Sequence, residues 1–564
     1  MKKTRIYITI AIALIAGAAL FVACTREDSA NKPFSKSETN PDDENECFWL
    51  GDQLENAYSV TNMQKAYDTL RANDMTDIVD VHCTHLYVKF YPETPDEYHK
   101  LISDTTLDLF DFPLDYEIIE TGALCNKPGN YNELYTVVPV NYGFPNVRYD
   151  ILEYCFIPDE NATEAEEKVE MESMILTGNL TPDDTVTTQP NPDNPDKRWF
   201  SWILPPKQHP SGNFTVRNTE NGAKDPLVNT RVVTFRLVKI AHTNTNANGD
   251  YYMSKTFRWP CMYAISFRNS NSFTIWGNTT LAPAFYYMGR RNHRGYSTTI
   301  GSGSVAFPWA TINNAACKYI KDIVPAENVT RPPYNLRIWS TPSMPTSYSG
   351  NAVMANQMRS VYAPAVTTLS AFCDALTGFP FIASMYLVLP DIVILNQDED
   401  YFTNHYDTNM NPTRYFYKNV IHEMSHASHF AQVGAPYWGQ YVNATVANGG
   451  YGDDSLGWHG MNGVIGVGEM WGYFFEYWNM VNYINSLPNH RSNTIEIRDD
   501  HWFRPIILDS LCRRDGLDIT PKKILDCMTA DVTTVGTLKQ RLKDNYGIYG
   551  RDLIINSIFD CYGF

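Results

Sequence analysis

The sequence predicts a multidomain α+β protein, on three observations. The chain has 564 residues, room for about three domains of ordinary size. Its texture changes along its length: strand and helix patterns first, then short β-branched and aromatic runs between Asn-Gly turns, then long helical periodicities. A stretch rich in Pro, Asp, Asn and Thr, "TGNLTPDDTVTTQPNPDNPDKRW", carries no apolar period and separates the first texture from the second.

At the start of the chain, Lys2, Lys3 and Arg5 precede an apolar run from Ile6 to Ala23, and Cys24 follows. That order predicts an export signal over residues 1–23. It resembles a bacterial lipoprotein signal, which implies lipidation of Cys24 and an outer-membrane lipoprotein, held to the membrane by its N-terminus and exposed at the cell surface. Phe21 stands where such signals usually have Leu, and an ordinary secretory signal cut elsewhere is the alternative. Residues 24–46 include the acidic "SKSETNPDDENE" and read as a flexible tether. That tether resembles the export region of surface lipoproteins in Bacteroidetes-like bacteria. No later apolar run approaches bilayer length, so the remainder is expected to be soluble, and a monomer. The formal net charge of −18 at pH 7 argues against nucleic acid as a partner. Cysteines beyond Cys24 are scattered with no C-x-x-C pair, which excludes zinc ribbons and leaves any disulfides unpaired by sequence alone.

Residues 47–160 read as an α/β accessory domain. In "THLYVKFYP", Leu86, Val88 and Phe90 alternate as on a half-buried strand. "TPDEYHKLI" starts a helix with Thr94 as N-cap, Pro95 at the first position and Glu97 closing a capping box. "LDYEIIETG" is a further strand. Residues 161–205 are the expected linker. From 206 to 290, runs such as "VNTRVVTFRLV" and "CMYAISF" alternate with Asn221-Gly222 and Asn248-Gly249 turns. The order of "DPLVNTRVVTF", "TNTNANGDYY" and "CMYAISF" resembles the carboxypeptidase regulatory-like family. That implies a transthyretin-like β-sandwich serving as scaffold or spacer.

Residues 300–564 carry the chemistry. "FPWATINNAACKYIKDI" and "NAVMANQMRSVYAPAVTTLSAFCDAL" have helical spacing, and "ASMYLVLPDIVIL" is a continuous apolar run of strand type. The stretch "NVIHEMSHASHFAQVG" then holds His422, Glu423 and His426 in the order H-E-x-x-H. Pro412 and Thr413 give a helix start, Gly434 and Pro436 a stop. Four residues apart on that helix, His422 and His426 lie one above the other. Such a pair offers zinc two imidazole nitrogens at about 2.0–2.1 Å. Glu423 can reach a metal-bound water without ligating the metal, as a general base. His429 shares the face but sits about 10.5 Å along the axis from His422, too far to bind the same ion. The better third ligand lies in "GVIGVGEMWGYFFEYWNM", where Glu469 is an acid in an apolar helical run. Burying an unpaired carboxylate costs several kcal/mol, and binding a cation is a reason to keep one there.

Glu469, Trp471, Gly472, Phe474 and Glu476 reproduce a pattern that resembles the gluzincin metallopeptidases, with a zincin-like catalytic domain. The resemblance implies Zn2+ held by His422, His426 and Glu469, with Glu423 as catalytic base. Two departures stand out. The stretch 427–468 is about twice as long as in the best known families, and Gly468 replaces the Asn that often precedes the ligand. The insertion within it, "GAPYWGQYVNATVANGGYGDDSLGWHGMNG", reads as a cleft-lining loop. His459, Tyr451 and Tyr437 are candidates to stabilise an oxyanion, while His429 and Glu476 are candidates to support the ligands. In this fold the strand before the helix often pairs with extended substrate, which would give "MYLVLPDIVIL" or its neighbour that role. The expected function is a zinc peptidase acting on extracellular proteins or glycoproteins. The alternative is a surface lipoprotein that binds glycans or proteins through a vestigial zincin domain. A variant of the first reading makes residues 47–157 an autoinhibitory pro-segment.

Overall fold

A computed structural model describes residues 46–125, 132–180, 206–269, 272–277, 281–340, 350–359, 387–395, 411–448, 450–452, 463–488, 497 and 501–564. Cys24, His459, the signal, most of the tether and residues 181–205 of the expected linker lie outside these. So does most of the "NAVMANQMRSVYAPAVTTLSAFCDAL" helix. The protein is mixed α+β, with several small sheets. No helix among the described residues is long and apolar enough to cross a membrane.

The first part runs β1 (Cys47–Gln53), α1 (Val60–Ala72), β2 (His85–Tyr91), α2 (Pro95–Ser103), β3 (Tyr116–Ile119), β4 (Ala123–Leu124), β5 (Leu134–Pro139), β6 (Arg148–Cys155) and α3 (Glu164–Leu176). Two three-stranded sheets form, in the orders β3-β1-β4 and β5-β2-β6. A disulfide joins Cys47 to Cys125, at the two ends of this small β1–β4 region. On β2, Leu86, Val88 and Phe90 share one core while Tyr87 enters another, because this central strand is covered on both faces. Thr94 caps α2 as expected, but the Glu97 carboxylate accepts the Glu93 N–H rather than closing the box on Thr94.

The linker expectation fails at its start, since α3 lies inside residues 161–205. Thr163 and Glu166 form a reciprocal capping box, which satisfies two otherwise orphaned donors at the helix start. Ala165 and Val169 then pack against Met63, Ala66 and Leu70 of α1. The acidic composition hid a helix buried in two places, with Ala165 and Val169 in one cluster and Met171 and Met174 in another.

The second part contributes β7 (Ser211–Arg217), β8 (Lys224–Pro226), β9 (Arg231–Arg236), β10 (Lys239–Asn244), β11 (Asp250–Tyr252) and β12 (Cys261–Ser266). It continues with β13 (Arg268–Asn269), β14 (Phe273–Trp276), β15 (Phe285–Arg291) and β16 (Thr298–Ile300). One sheet has the order β10-β9-β12-β15; the other is β11-β7-β16 with β8 beside β7. Phe214, Val216 and Tyr251 from one sheet share a core with Val232, Tyr263 and Ile265 from the other. The expected boundaries shift here. The β unit keeps strands to Ile300, yet gives up β13 and β14, which join a different sheet.

That sheet has the order β13-β14-β17-β19-β18, with β17 at Leu336–Trp339, β18 at Gly350–Asn351 and β19 at Ile392–Ile394. Strands β14, β17 and β19 run parallel, and β18 closes one edge antiparallel. Ile275, Ile338 and Ile392 face the main core, while Trp276, Trp339 and Val393 face Tyr98 and Leu101 of the first part. Burial on both faces is normal for parallel strands. Among the described residues of "MYLVLPDIVIL", 387–395, the strand is only three residues long, and before it Leu389 takes a positive φ of 36° with Pro390 following. Since β19 is paired on both sides, it offers no free edge; the edge strands are β13 and β18.

Helix α4 (Ala306–Lys318) lies against this sheet's inner face together with α5 (Pro412–Val433). Next come α6 (Ala435–Asn448), α7 (Gly463–Ser486), α8 (Ile506–Arg513), α9 (Pro521–Cys527), α10 (Val535–Tyr546) and α11 (Arg551–Cys561). The first half of the insertion read as a loop is thus α6. Tyr437, Trp438, Tyr441, Val442 and Ala444 recur at helical spacing and are buried.

Candidate metal centre

Helix α5 starts where its sequence requires. Asn411 is the N-cap and accepts the Arg414 N–H, Pro412 fills the first position, and Gly434 at φ 81° ends the helix. His422 and His426 lie on one face, with their Nε2 atoms 3.0 Å apart and their rings nearly perpendicular at 80°. Helix α7 crosses this face at Gly472. A Cβ there would stand 2.8 Å from His422 Cε1 and from both His426 Cε1 and Nε2. Only glycine lets the backbone come so close.

One turn before Gly472, α7 presents Glu469. Its Oε2 is 3.5 Å from His422 Nε2 and its Oε1 is 3.5 Å from His426 Nε2. Two ligands held 2.0–2.1 Å from a tetrahedral ion lie about 3.4 Å apart. The two 3.5 Å contacts end on different oxygens of the carboxylate, and one ligand atom from each of the three residues lies within 4.8 Å of the others, a cluster small enough for one cation. His422, His426 and Glu469 are 5%, 1% and 1% exposed, and Glu469 Oε2 has no hydrogen-bond partner. Buried polar atoms are seldom left so. This buried His-His-Glu group could hold a metal ion.

The surrounding side chains orient the group. Glu476 Oε2 lies 3.1 Å from His422 Nδ1, which fixes the imidazole with its Nε2 towards Glu469. The other Glu476 oxygen is 3.5 Å from Lys418 Nζ. From α6, the Tyr441 hydroxyl donates to Glu469 Oε1 at 2.5 Å. Trp471 Nε1 donates to the Ser425 carbonyl at 3.1 Å and ties the helices beside the crossing.

The electrostatics follow from burial among charges. For His422, burial opposes the charged form, but Glu469, Glu476 and Glu423 outweigh it and raise the pKa to about 10. His426 is lowered by burial, despite Glu469. Glu469 is held well below the usual carboxylate range: burial would raise it, but the two imidazoles win. Glu423 is pushed up to about 8, first by burial and then by Glu469 and Glu476, against the His422 charge and the Ala352 N–H.

Not every expected residue joins in. His429 is fully buried between Tyr437 and Trp438, and neither ring nitrogen has a hydrogen-bond partner. Burial, with His426 nearby, lowers its pKa to about 3. Tyr437 turns its hydroxyl to the Val532 carbonyl, so it is no oxyanion donor. Tyr451 stays close: burial, then the charge on Glu469, raises its pKa well above the ordinary value. No family model matches the chain, and no curated protein or solved structure matches it either. Sequence reasoning missed Tyr441, Lys418, the Ala352 amide and Tyr473, whose ring stands 4.5 Å from that of His422. A glycine inside an apolar helix was the one visible sign of the helix crossing.

Proposed function

We propose that the chain is a zinc-dependent peptidase of the gluzincin type. Its C-terminal part would be a zincin-like catalytic domain, and the two-sheet unit a regulatory-like β-sandwich. The reading is carried by the triangle of His422, His426 and Glu469, with Glu423 one residue round the same helix. When bound there, zinc would lower the pKa of a coordinated water to about 7 and polarise a carbonyl. Glu423, one residue round the helix from His422, would take a proton from the attacking water and pass it to the leaving amine. Glu476 holds the imidazole of His422, and Tyr441 holds the carboxylate of Glu469, so neither ligand must reorganise. Tyr451 is the candidate hydroxyl for the developing negative oxygen. The export signal points to extracellular proteins or glycoproteins as substrates.

The test is metal analysis of purified protein, followed by incubation with a peptide library read by mass spectrometry. Glu423→Gln should keep its zinc and lose about 10²–10⁴-fold in cleavage rate. A wild-type protein that holds no zinc and cleaves nothing would instead favour the surface-binding lipoprotein.

A further inference from the structure

The metal ligands come from two helices, so their convergence depends on how α5 is set against α7. Ligand distances tolerate only about ±0.2 Å, whereas a one-residue slip along a helix moves a side chain about 1.5 Å. At the crossing itself Gly472 offers no side chain to set the register. A hold farther along the pair is therefore needed besides the Trp471 bond.

The turn between β7 and β8 supplies it. This turn, residues 218–223, is closed by the Gly222 N–H to the Asn218 carbonyl at 2.8 Å. Thr219 N–H donates to Thr413 Oγ1 at 2.9 Å, and Thr413 N–H donates back to Thr219 Oγ1 at 2.9 Å. Thr219 Oγ1 also donates to Asn411 Oδ1, the cap of α5, at 2.8 Å. Glu220 accepts from Asn411 Nδ2 and from Arg414 Nε at 2.9 Å, and pairs with the Arg414 guanidinium. On α7, Asn218 Nδ2 donates to the Tyr483 hydroxyl at 3.2 Å. The Tyr483 ring stacks on Tyr417 of α5, 4.3 Å away and 7° from parallel. One turn of the β unit thus grips both metal-bearing helices at the same end. The Glu220 and Arg414 side chains are only 1% and 7% exposed. A buried ion pair gives little net stability, but it can impose one geometry.

We propose that the 218–223 turn is a clamp for the metal centre, with Thr219 and Glu220 as positioning residues that set the helix register and so the affinity for the ion. The proposal rests on His422, His426 and Glu469 holding a divalent metal, as proposed above. The experiment uses the full chain and compares wild type, Thr219→Val, Glu220→Gln and, as a control, Val216→Ala in the core of the β unit. Zn2+ affinity is read by chelator competition, Co2+ coordination by its visible absorption, and stability by thermal melting. Thr219→Val and Glu220→Gln should weaken Zn2+ at least tenfold and alter the Co2+ bands while still folded. Val216→Ala should lower the melting temperature and leave both metal readouts at wild-type values. Wild-type affinity and spectrum in Thr219→Val would overturn the clamp, as would equal weakening in Val216→Ala. Should Glu220→Gln fail to fold, Thr219→Val alone decides. If wild type binds neither ion, the metal reading falls first and takes the clamp with it.

Discussion

At position 472 a single methyl group would settle whether the imidazoles can converge. Helix propensity alone would favour alanine over glycine by about 1 kcal/mol. The added Cβ, however, would stand 2.8 Å from the rings of both His422 and His426. Gly472→Ala should therefore abolish stoichiometric metal content by mass spectrometry. Gly468→Ala, whose Cβ would meet Tyr441 at 3.5 Å, should retain it. Tyr441→Phe removes one donor to Glu469 and should weaken the metal by about 10–100-fold in a chelator titration. The ligand candidates were legible because the four-residue His spacing is a local property of one helix and an acid in an apolar run stands out. Tyr441 was not legible. It acts across a helix contact, from a stretch whose spacing to Glu469 follows no period.

Among the elements, α3 and α6 teach the same lesson from opposite compositions. An acidic segment and a Gly- and Asn-rich one both looked irregular, yet each carries apolar residues at helical spacing and finds a neighbour to bury them. For α3 the capping box is the local instruction, so Thr163→Ala should cost about 1 kcal/mol in denaturant unfolding. The shortened β19 makes the reverse point. Apolar Leu387, Val388 and Leu389 precede it, but the strand begins only at Ile392, beyond the positive φ of Leu389. Strand type was legible from the sequence, whereas extent and pairing were not, because β18 and β17 arrive from distant parts of the chain.

Across the whole molecule, buried charge joins the first part to the β unit. Asp108 binds Arg231 at 3.0 Å and lies against His242. Burial would raise the Asp108 pKa, but His242, Arg231 and Arg268 outweigh it and hold the carboxyl below its usual value. A folded pKa below the unfolded one, about 3.9, means stability that is full above that pH and lost as pH falls through the folded value. Asp108→Asn should therefore flatten the acid limb of a stability–pH curve below about pH 4. The strand exchange at β13 and β14 carries a practical cost. A recombinant piece starting at residue 300, where sequence texture suggests a cut, would lack the strand that lies beside β17. It would bare an apolar flank made for pairing, and clumping of such a fragment would say nothing about what the full chain does.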